Sequence, residues 1–532
     1  MRLRAAFVLC TLAPAFLRAQ SYTTADPVIR RLYEAGMQQS QVGKLLQVLS
    51  DSIGPRLTGS PGHKSGNEWL ARTYASWGIA ATNPTYGTWK AWRRGVSHID
   101  LIAPRVRSLE GMTLAWSAGT GGRDVEGDVV ILPDVADSAA FVAWLPQARG
   151  KFVLISMLQP TCRPDDNWER YATAESFARM RSERAEATTQ WNRRLQKTGY
   201  GTGLGTGSLG VRLEQAGVAG VVASRWSNGW GVQKVFDAQT TQVPSVDIGC
   251  EDYGLLYRLA ANNQGARLRV RAQADFLGEL PVANTVATIP GTSKPDEYVM
   301  LSAHFDSWDG GSGTTDNGTG TVIMMEAMRL LKQFYPNPKR TILVGHWGGE
   351  EQGLNGSRAF AADRPEVVRG LQALFNQDNG TGRVVNFSSG GLTTAAGNVA
   401  QWVASIPSEL TRGITLNFPG SPAGGGSDHA SFGCSGAPAF GLGALDWSYG
   451  TYTWHTQRDT YDKAVLDDLR NNATLVALLV YLASEDPETV SRDRRVFDRG
   501  PVAGGPGGGG PPQATTWPQC QQPLRDSKGY RR

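Results

Sequence analysis

The sequence predicts an α/β fold: a mixed, mainly parallel central sheet with helices on both faces, plus an inserted β-rich unit. Three observations predict this. Short apolar strands alternate with helical patterns from about residue 280 onward, and four β-rich runs lie apart from that pattern between 127 and 248. The length of 532 residues leaves room for two or three domains. Strands that alternate with helices are typical of parallel sheets buried on both faces.

The composition excludes several classes of protein. Hydrophobic residues make up 40% of the chain and charged residues 19%, and 64 of the 532 residues are glycine. This balance excludes a disordered polyelectrolyte, a coiled coil and a collagen-like fibre. A formal charge of +5 is small for this length, so we expect no nucleic-acid partner.

Residues 1–19 are typical of a secretory signal peptide. Arg2 and Arg4 give it a basic start, Ala5 to Leu17 is mostly apolar, and the small residue Ala19 marks the expected cleavage site. The apolar stretch is shorter than the roughly 20 residues that a membrane-spanning helix needs, and no later run is long enough. The sequence therefore predicts a secreted or periplasmic protein with no membrane span.

The other end of the chain predicts a tail. Residues 495–532 are a Gly/Pro-rich, low-complexity segment in which 500–512 hold seven Gly and four Pro, and we expect it to be disordered or loosely attached. Four cysteines remain after removal of the leader: Cys162, Cys250, Cys434 and Cys520. They allow three disulfide pairings, and the sequence does not choose among them.

Residues 20–119 form the first part of the predicted catalytic domain. Apolar residues recur at helical spacing over 29–49 and again over 68–77. Between these two patterns lies a turn-rich loop, Gly54 to Gly62, with three glycines and two prolines.

Residues 120–278 form the predicted inserted domain. Its β-rich runs are 127–132, 151–155, 218–223 and 243–248. A polar stretch rich in Arg and Glu, 164–199, is predicted to be helical. Residues 205–210 fit the formal pattern GxGxxG, but no strong strand precedes them, so a flexible loop is favoured over a dinucleotide site.

Residues 279–494 form the main part of the predicted catalytic domain. Strands are predicted at 297–303, 340–345, 371–375, 413–418 and 439–442. Helices are predicted at 319–334, from 358, and at 399–405 and 463–482. Because ligands bind at the carboxyl edge of such sheets, polar residues that follow these strands are the candidate site.

Several segments past the strand ends, or in loops near them, carry metal-ligating side chains. They are 304–309, 315–320, 347–351, 377–379 and 454–456. Within them, two histidines and three carboxylates have the residue types that two zinc ions sharing one bridging carboxylate require: His304, Asp316, Glu351, Asp378 and His455. Glu350 then remains beside a ligand as the natural general base for an activated water. Asp306 is placed to accept the second ring N–H of His304.

These residues resemble the di-zinc exopeptidases, a family that includes the bacterial leucyl aminopeptidases, and in particular its carboxypeptidase Q-like members. The resemblance rests on the runs from His304 to Asp309 and from Asp316 to Gly318, on Glu350-Glu351-Gln-Gly, and on the run from His455 to Thr460. It covers about 25–490. The 120–278 unit is similar to the protease-associated domain that many of these enzymes contain.

The resemblance implies a ligand set. One zinc would be held by His304 and Asp378, the other by Glu351 and His455, with Asp316 as the bridge. It also implies that Glu350 is the base and that the peptide bond after Asp316 is cis. The implied activity is hydrolysis of a peptide substrate at one end of its chain, and a homodimer is left open.

The substrate pocket is less clearly marked. The resemblance places Ser427, Asp428 and His429 in a loop that lines the cleft, and Trp308 is a candidate wall residue. Ser427-Asp428-His429 is not a nucleophilic triad, because three consecutive residues cannot point at one another. No cluster of arginines marks a carboxylate-binding group, so aminopeptidase, dipeptidase and carboxypeptidase specificity all stay open.

Two other classes of function are alternatives. A non-catalytic binding or receptor module could share the fold, but such relatives lose the ligands that are present here. A glutaminyl cyclase-like acyltransferase shares the fold with one zinc, which fits the two-metal set and the inserted unit less well.

Overall fold

The computed structural model describes residues 24–201, 208–495 and 517–530. The predicted signal peptide, residues 202–207 of the glycine-rich loop and the Gly/Pro-rich run 500–512 lie outside the described residues. Among the helices of the described ranges, none has both the length and the apolar character that crossing a bilayer requires.

The described residues form helices and strands in alternation. The helices are α1 (Pro27–Gln38), α2 (Val42–Gln47), α3 (Pro61–Ser76), α4 (Ser138–Trp144), α5 (Asp165–Tyr171), α6 (Ala174–Thr198), α7 (Leu209–Gln215), α8 (Cys250–Ala261), α9 (Thr319–Phe334), α10 (Asn355–Asp363), α11 (Pro365–Gly370), α12 (Ala395–Ser405), α13 (Ser408–Thr411), α14 (Ala430–Gly433) and α15 (Leu466–Glu485). The strands are β1 (Ala80–Thr82), β2 (Thr85–Ala103), β3 (Arg107–Ser108), β4 (Gly111–Thr113), β5 (Val125–Ile131), β6 (Phe152–Leu154), β7 (Gly220–Ala223), β8 (Ser245–Ile248), β9 (Arg267–Ala283), β10 (Thr285–Ile289), β11 (Lys294–His304), β12 (Arg340–Trp347), β13 (Leu371–Gln377), β14 (Val384–Ser388), β15 (Thr415–Asn417) and β16 (Ala439–Ala444).

The first sheet is mixed and has the strand order β1-β10-β12-β11-β13-β16-β14-β15. Its four central strands, β12, β11, β13 and β16, are parallel neighbours, and β1, β10 and β14 pair antiparallel toward the edges. The predicted α/β fold with a mixed, mainly parallel central sheet is confirmed.

Both faces of this sheet are covered because its central strands are apolar on both sides. In β11, Val299 and Leu301 pack into a core with helices α1, α9 and α15, whereas Met300 packs into a second core with α10, α11 and α14. Successive strand residues point to opposite faces, so a continuous apolar run is what a sheet between two helical layers needs. The rigid sheet holds its carboxyl edge in place.

The second sheet has the order β3-β2-β9-β5-β6-β7-β8-β4. Its longest pair, β2 and β9, runs antiparallel from Thr85↔Ala283 to Ala103↔Arg267 and joins this sheet to the first. The sheet therefore includes residues before 120 and after 278, beyond the range predicted for the inserted domain. Its assignment as a protease-associated domain stays a prediction.

The polar stretch 164–199 is helical, as predicted. It folds into α5 and α6 beside the second sheet, and Trp191 of α6 packs into the apolar core of that unit. Residues 208–210 of the predicted glycine-rich loop instead start α7, with the Ser208 side chain accepting a hydrogen bond from the Val211 N–H.

The end of the chain corrects the prediction of a loose tail. Residues 517–530 lie against the body of the protein and are joined to it by a disulfide bond between Cys434 and Cys520. Arg525 forms an ion pair with Asp363, and its carbonyl accepts a hydrogen bond from the Thr88 N–H. The low-complexity sequence ends before Trp517, and the residues after it include Cys520 and Arg525, which attach the segment to the body. The prediction missed these contacts because it used the average composition of 495–532.

The disulfide pairing that the sequence left open is resolved. Cys162 is bonded to Cys250 within the second unit, and Cys434 is bonded to Cys520. The first bond ties the start of the helical insert to α8, and the second ties the C-terminal segment to α14.

Replacing Cys520 with Ser should detach the C-terminal segment. We expect a loss of about 2–4 kcal/mol in the free energy of unfolding, because the bond closes a long loop. Urea unfolding followed by fluorescence measures this loss, and limited proteolysis should cut within 517–530 first. Cys434→Ser and the double variant serve as controls, since each should lose the same amount. A double variant that loses clearly more than either single one would contradict the pairing.

Candidate metal centre

The carboxyl edge of the first sheet brings the predicted residues together. His304 is the last residue of β11, Glu350 and Glu351 follow β12, and Asp378 follows β13. Asp316 comes from the turn that leads into α9, and His455 comes from the loop before α15. The parallel arrangement of β11, β12 and β13 puts their carboxyl ends side by side, which is why these residues meet.

Asp316 lies between two histidines. Its Oδ1 is 3.2 Å from His304 Nε2, and its Oδ2 is 3.2 Å from His455 Nε2. Asp378 Oδ1 lies 3.2 Å from His304 Nε2, and Glu351 Oε2 lies 2.9 Å from His455 Nε2. The two resulting triads share Asp316, and the ligand atoms within each triad lie within 4.8 Å of one another.

This geometry fits cations better than hydrogen bonds alone. Each Nε2 faces two carboxylate oxygens, but an imidazole nitrogen carries at most one hydrogen and can donate to only one of them. Glu351 Oε1 is also buried without a hydrogen-bond partner among the described residues. Imidazole nitrogen with carboxylate oxygen is a donor set that zinc accepts. The residues present therefore fit two zinc ions with Asp316 between them.

Glu350 lies in the same cavity as these residues. The cavity has a volume of about 490 Å³, and its walls also include Leu354, Arg358, Tyr449 and Trp454. Burial raises the pKa of the Glu350 carboxyl well above its ordinary value, although nearby His304 opposes the shift. Glu350 thus stands beside both triads without being a member of either.

Asp306 accepts the second ring N–H of His304, as predicted, and does so through its main-chain oxygen. The Nδ1 of His304 donates to that oxygen at 3.0 Å, and the Asp306 carboxylate is 3.8 Å away. The carboxylate accepts the main-chain N–H groups of Glu350 and Glu351, at 3.0 and 3.3 Å.

Arg56 is a supporting residue that no sequence motif singled out. Its guanidinium is fully buried and donates to the carbonyls of Gly54, Phe305, Ser312 and Gly313. Burial lowers its pKa to about 10, which leaves it charged at neutral pH. In the sequence, the turn-rich run Gly54 to Gly62 is the feature that could have indicated this role. The backbone N–H and C=O groups of a loop between two helices need hydrogen-bond partners, and a side chain can supply them.

Asp459 holds the backbone of Asp316, the candidate bridging residue. Its carboxylate accepts the main-chain N–H of Thr315 at 2.7 Å and that of Asp316 at 3.0 Å. Because Asp459 is four residues beyond His455, the same loop supplies one ligand and holds the backbone of another. The Asp316–Asn317 peptide bond is cis, as the family resemblance implies.

The second unit contacts the centre through His455. Phe236 packs edge-on against the His455 ring at 5.0 Å, and the Val235 N–H donates to the His455 carbonyl at 2.7 Å. Lys234 donates to the Trp454 carbonyl and lies over the Trp454 ring. Residues 234–236 thus pack behind a candidate ligand and support its position.

The four predicted substrate-binding residues do not line the cavity. Trp308 is 5% exposed and packs behind His455, with ring centroids 5.9 Å apart. Ser427 and Asp428 are buried, Asn376 donates to the Ser427 hydroxyl, and the His429 ring lies against Gly441. Gly425 and Gly426, which precede these residues, line the cavity. A substrate-binding role for the four residues stays a prediction.

The fold places a donor set of imidazole nitrogens and carboxylate oxygens at the carboxyl edge of the sheet. Residues 284–480 match the model of "Peptidase family M28". The predicted family resemblance is thereby confirmed, and it supports a hydrolase that acts on peptides.

Individual relatives agree with the family match. The chain is 24% identical over 460 residues to carboxypeptidase Q of Bos taurus, which covers 86% of this chain and 88% of that one. It is 29% identical over 238 residues to leucine aminopeptidase 1 of Arthroderma otae, 41% of this chain and 60% of that one.

Solved structures share the fold. A peptidase M28 precursor from Shewanella amazonensis aligns with a TM-score of 0.64 at 21% identity over 87% of this chain and 97% of that one. BSAP, a zinc aminopeptidase from Bacillus subtilis, aligns with a TM-score of 0.53 at 18% identity over 85% and 96%.

Replacing Arg56 with Met should destabilise the fold around the metal centre. Four carbonyls lose their donor at once, and leaving buried acceptors unpaired costs about 1–3 kcal/mol each, so a loss of at least about 3 kcal/mol is expected. Urea unfolding in the presence of a chelator measures this without any metal contribution. Arg72→Met on the exposed face of α3 is the matched control. Equal stability of the two variants would show that Arg56 is dispensable.

Proposed function

We propose that the chain is an exported di-zinc exopeptidase that hydrolyses dipeptides or short peptides. One observation carries this proposal: the two carboxylate oxygens of Asp316 face two different histidines, each of which has its own second carboxylate. A shared carboxylate between two three-residue sets is what a pair of co-catalytic metals requires. The family match and the carboxypeptidase Q and aminopeptidase relatives support the same activity.

The proposed roles of the ligands follow from their positions. His304 and Asp378 would hold one zinc ion, Glu351 and His455 the other, and Asp316 would bridge them. Zinc bound there would supply Lewis-acid polarisation of the scissile carbonyl and would lower the pKa of water.

The chain itself would supply the proton transfer. Glu350 would take a proton from the attacking water and return it to the nitrogen of the leaving amine. The Asp306 carboxylate accepts the main-chain N–H groups of Glu350 and Glu351. It would therefore hold the proposed base, Glu350, in place beside the proposed ligand, Glu351. The apolar walls, Leu354 and Trp454, would exclude bulk water from the reacting bond.

Export is supported by two kinds of observation. The sequence of residues 1–19 is typical of a cleaved leader, and the described residues contain two disulfide bonds, which persist in oxidising compartments. We therefore propose a secreted or periplasmic location. The domain boundaries, the protease-associated identity of the second unit and a homodimer stay predictions.

The two other classes of function make different predictions. A non-catalytic binding module would bind zinc weakly or not at all and would hydrolyse nothing. An acyltransferase of the glutaminyl cyclase type would bind one zinc and release pyroglutamate from a peptide with an N-terminal Gln. Zinc analysis and assays with dipeptides, a chromogenic amino-acid amide and a Gln peptide, with and without a chelator, separate the three.

Replacing Glu350 with Gln should leave zinc content unchanged and reduce kcat by about 10²–10⁴-fold, because a general base contributes that much. Steady-state kinetics on the best dipeptide and elemental analysis of the same sample measure both quantities. Glu68→Gln, at an exposed position of α3, is the control and should retain wild-type kcat. Full activity of Glu350→Gln would rule out its role as the base.

Replacing Asp316 with Ala should abolish binding of both zinc ions, because its two oxygens serve both triads. Elemental analysis after dialysis against dilute zinc should give close to two ions per wild-type chain and close to none per variant. Asp467→Ala, an exposed aspartate of α15, should keep the wild-type content. Retention of two zinc ions by Asp316→Ala would contradict the bridging role.

A further inference from the structure

Arg358 lies on the wall of the catalytic cavity, seven residues after Glu351 and within the first turns of α10. Its guanidinium folds back toward the start of the helix. A Cβ atom built on Gly353 would lie 3.8 Å from Arg358 Nη1, and Gly353 has the positive φ of +112° that favours glycine. The guanidinium therefore lies beside the turn that follows the general base and the zinc ligand.

The charge of Arg358 is not neutralised by a direct partner. Its guanidinium makes no hydrogen bond and no ion pair with another residue of the described ranges. By contrast, Arg364, just past the end of the same helix, pairs with Glu366. Partial burial lowers the pKa of Arg358 below its ordinary value, and the carboxylates of Asp428 and Glu350 oppose this shift from a distance. A partly desolvated cation of this kind is stabilised by an anionic ligand.

The cavity offers no comparable group for a free amine. Besides Arg358, the charged side chains of its wall are the five proposed zinc ligands and Glu350. Each of these carboxylates already has a role at the metals or in proton transfer. A peptide amino group would find no spare carboxylate on this wall, whereas a peptide carboxylate would find a guanidinium.

The C-terminal segment lies close to Arg358. A recess next to the cavity shares Leu354, Arg358 and Gly425 with it, and its wall also includes Pro518, Gln519 and Gln521. The Cys434–Cys520 bond joins this segment to α14.

We propose that Arg358 binds the C-terminal carboxylate of the substrate, so that a free carboxyl end favours binding. A planar guanidinium can donate two parallel hydrogen bonds to a carboxylate, which fixes both the position and the orientation of the bound end. This inference rests on the proposed function, since it assigns a specificity-determining residue of the same site.

The test compares a panel of dipeptides with their C-terminal amides, using the zinc-loaded, full-length protein. For the wild type we expect kcat/KM to be at least about tenfold higher for the free acid than for the amide. In Arg358→Gln the ratio of acid to amide should fall to about one, with most of the change in KM. Arg358→Lys keeps the charge but loses the planar fork, and should give an intermediate ratio.

Arg364→Gln is the matched control, because it removes an arginine at the far end of the same helix, outside the cavity, and it should keep the wild-type ratio. Zinc content and circular dichroism of each variant establish that the site and fold persist. A wild type that cleaves acids and amides equally well, or an Arg358→Gln variant that keeps the ratio, would overturn the inference while leaving the proposed peptidase activity intact. Absence of chelator-sensitive hydrolysis of every substrate would instead overturn the proposed function, and the inference with it.

Discussion

The position of Asp316 between two histidines is the constraint on which the rest of the site depends. Asp316, Glu351 and Asp378 are brought to one buried edge, and like charges so close together oppose ionisation unless cations lie among them. Two histidines alone cannot supply that compensation, since each faces two carboxylate oxygens. The arrangement is consistent with a fold whose stability and activity are both coupled to metal binding.

The surrounding structure keeps this bridge in place from three directions. Arg56 donates to the carbonyls of Phe305 and Gly313. Asp459 accepts the main-chain N–H of Asp316 itself. Asp306 accepts main-chain N–H groups of the loop that carries Glu350. None of these contacts is to a metal-ligating atom. Each therefore leaves the ligand atoms free while removing the backbone freedom that would let them separate.

The second unit adds to this rigidity. It is joined to the first sheet by the paired strands β2 and β9, and its segment 234–236 contacts the His455 loop. The C-terminal segment adds another tie between the body and β2, through Arg525.

The sequence predicted the central sheet well, because it rests on local patterns, and the candidate ligands that the same patterns indicated meet at its carboxyl edge. The strand that ends at His304 is apolar on both faces, and the residue types that follow the strands suit zinc. The support by Arg56 could not be predicted, since it joins residues about 250 positions apart through backbone carbonyls, which leave no mark in the sequence. The position of Ser427 to His429 relative to the cavity could not be predicted either, because which side of a loop faces a cavity depends on tertiary packing.

The location of Arg358 links substrate choice to catalysis. The proposed general base, a proposed zinc ligand and the proposed carboxylate-binding group all lie within the nine residues from Glu350 to Arg358, so one turn and one short helix set their mutual distances. A change in that helix would move the substrate end relative to the metals, and specificity and rate would change together.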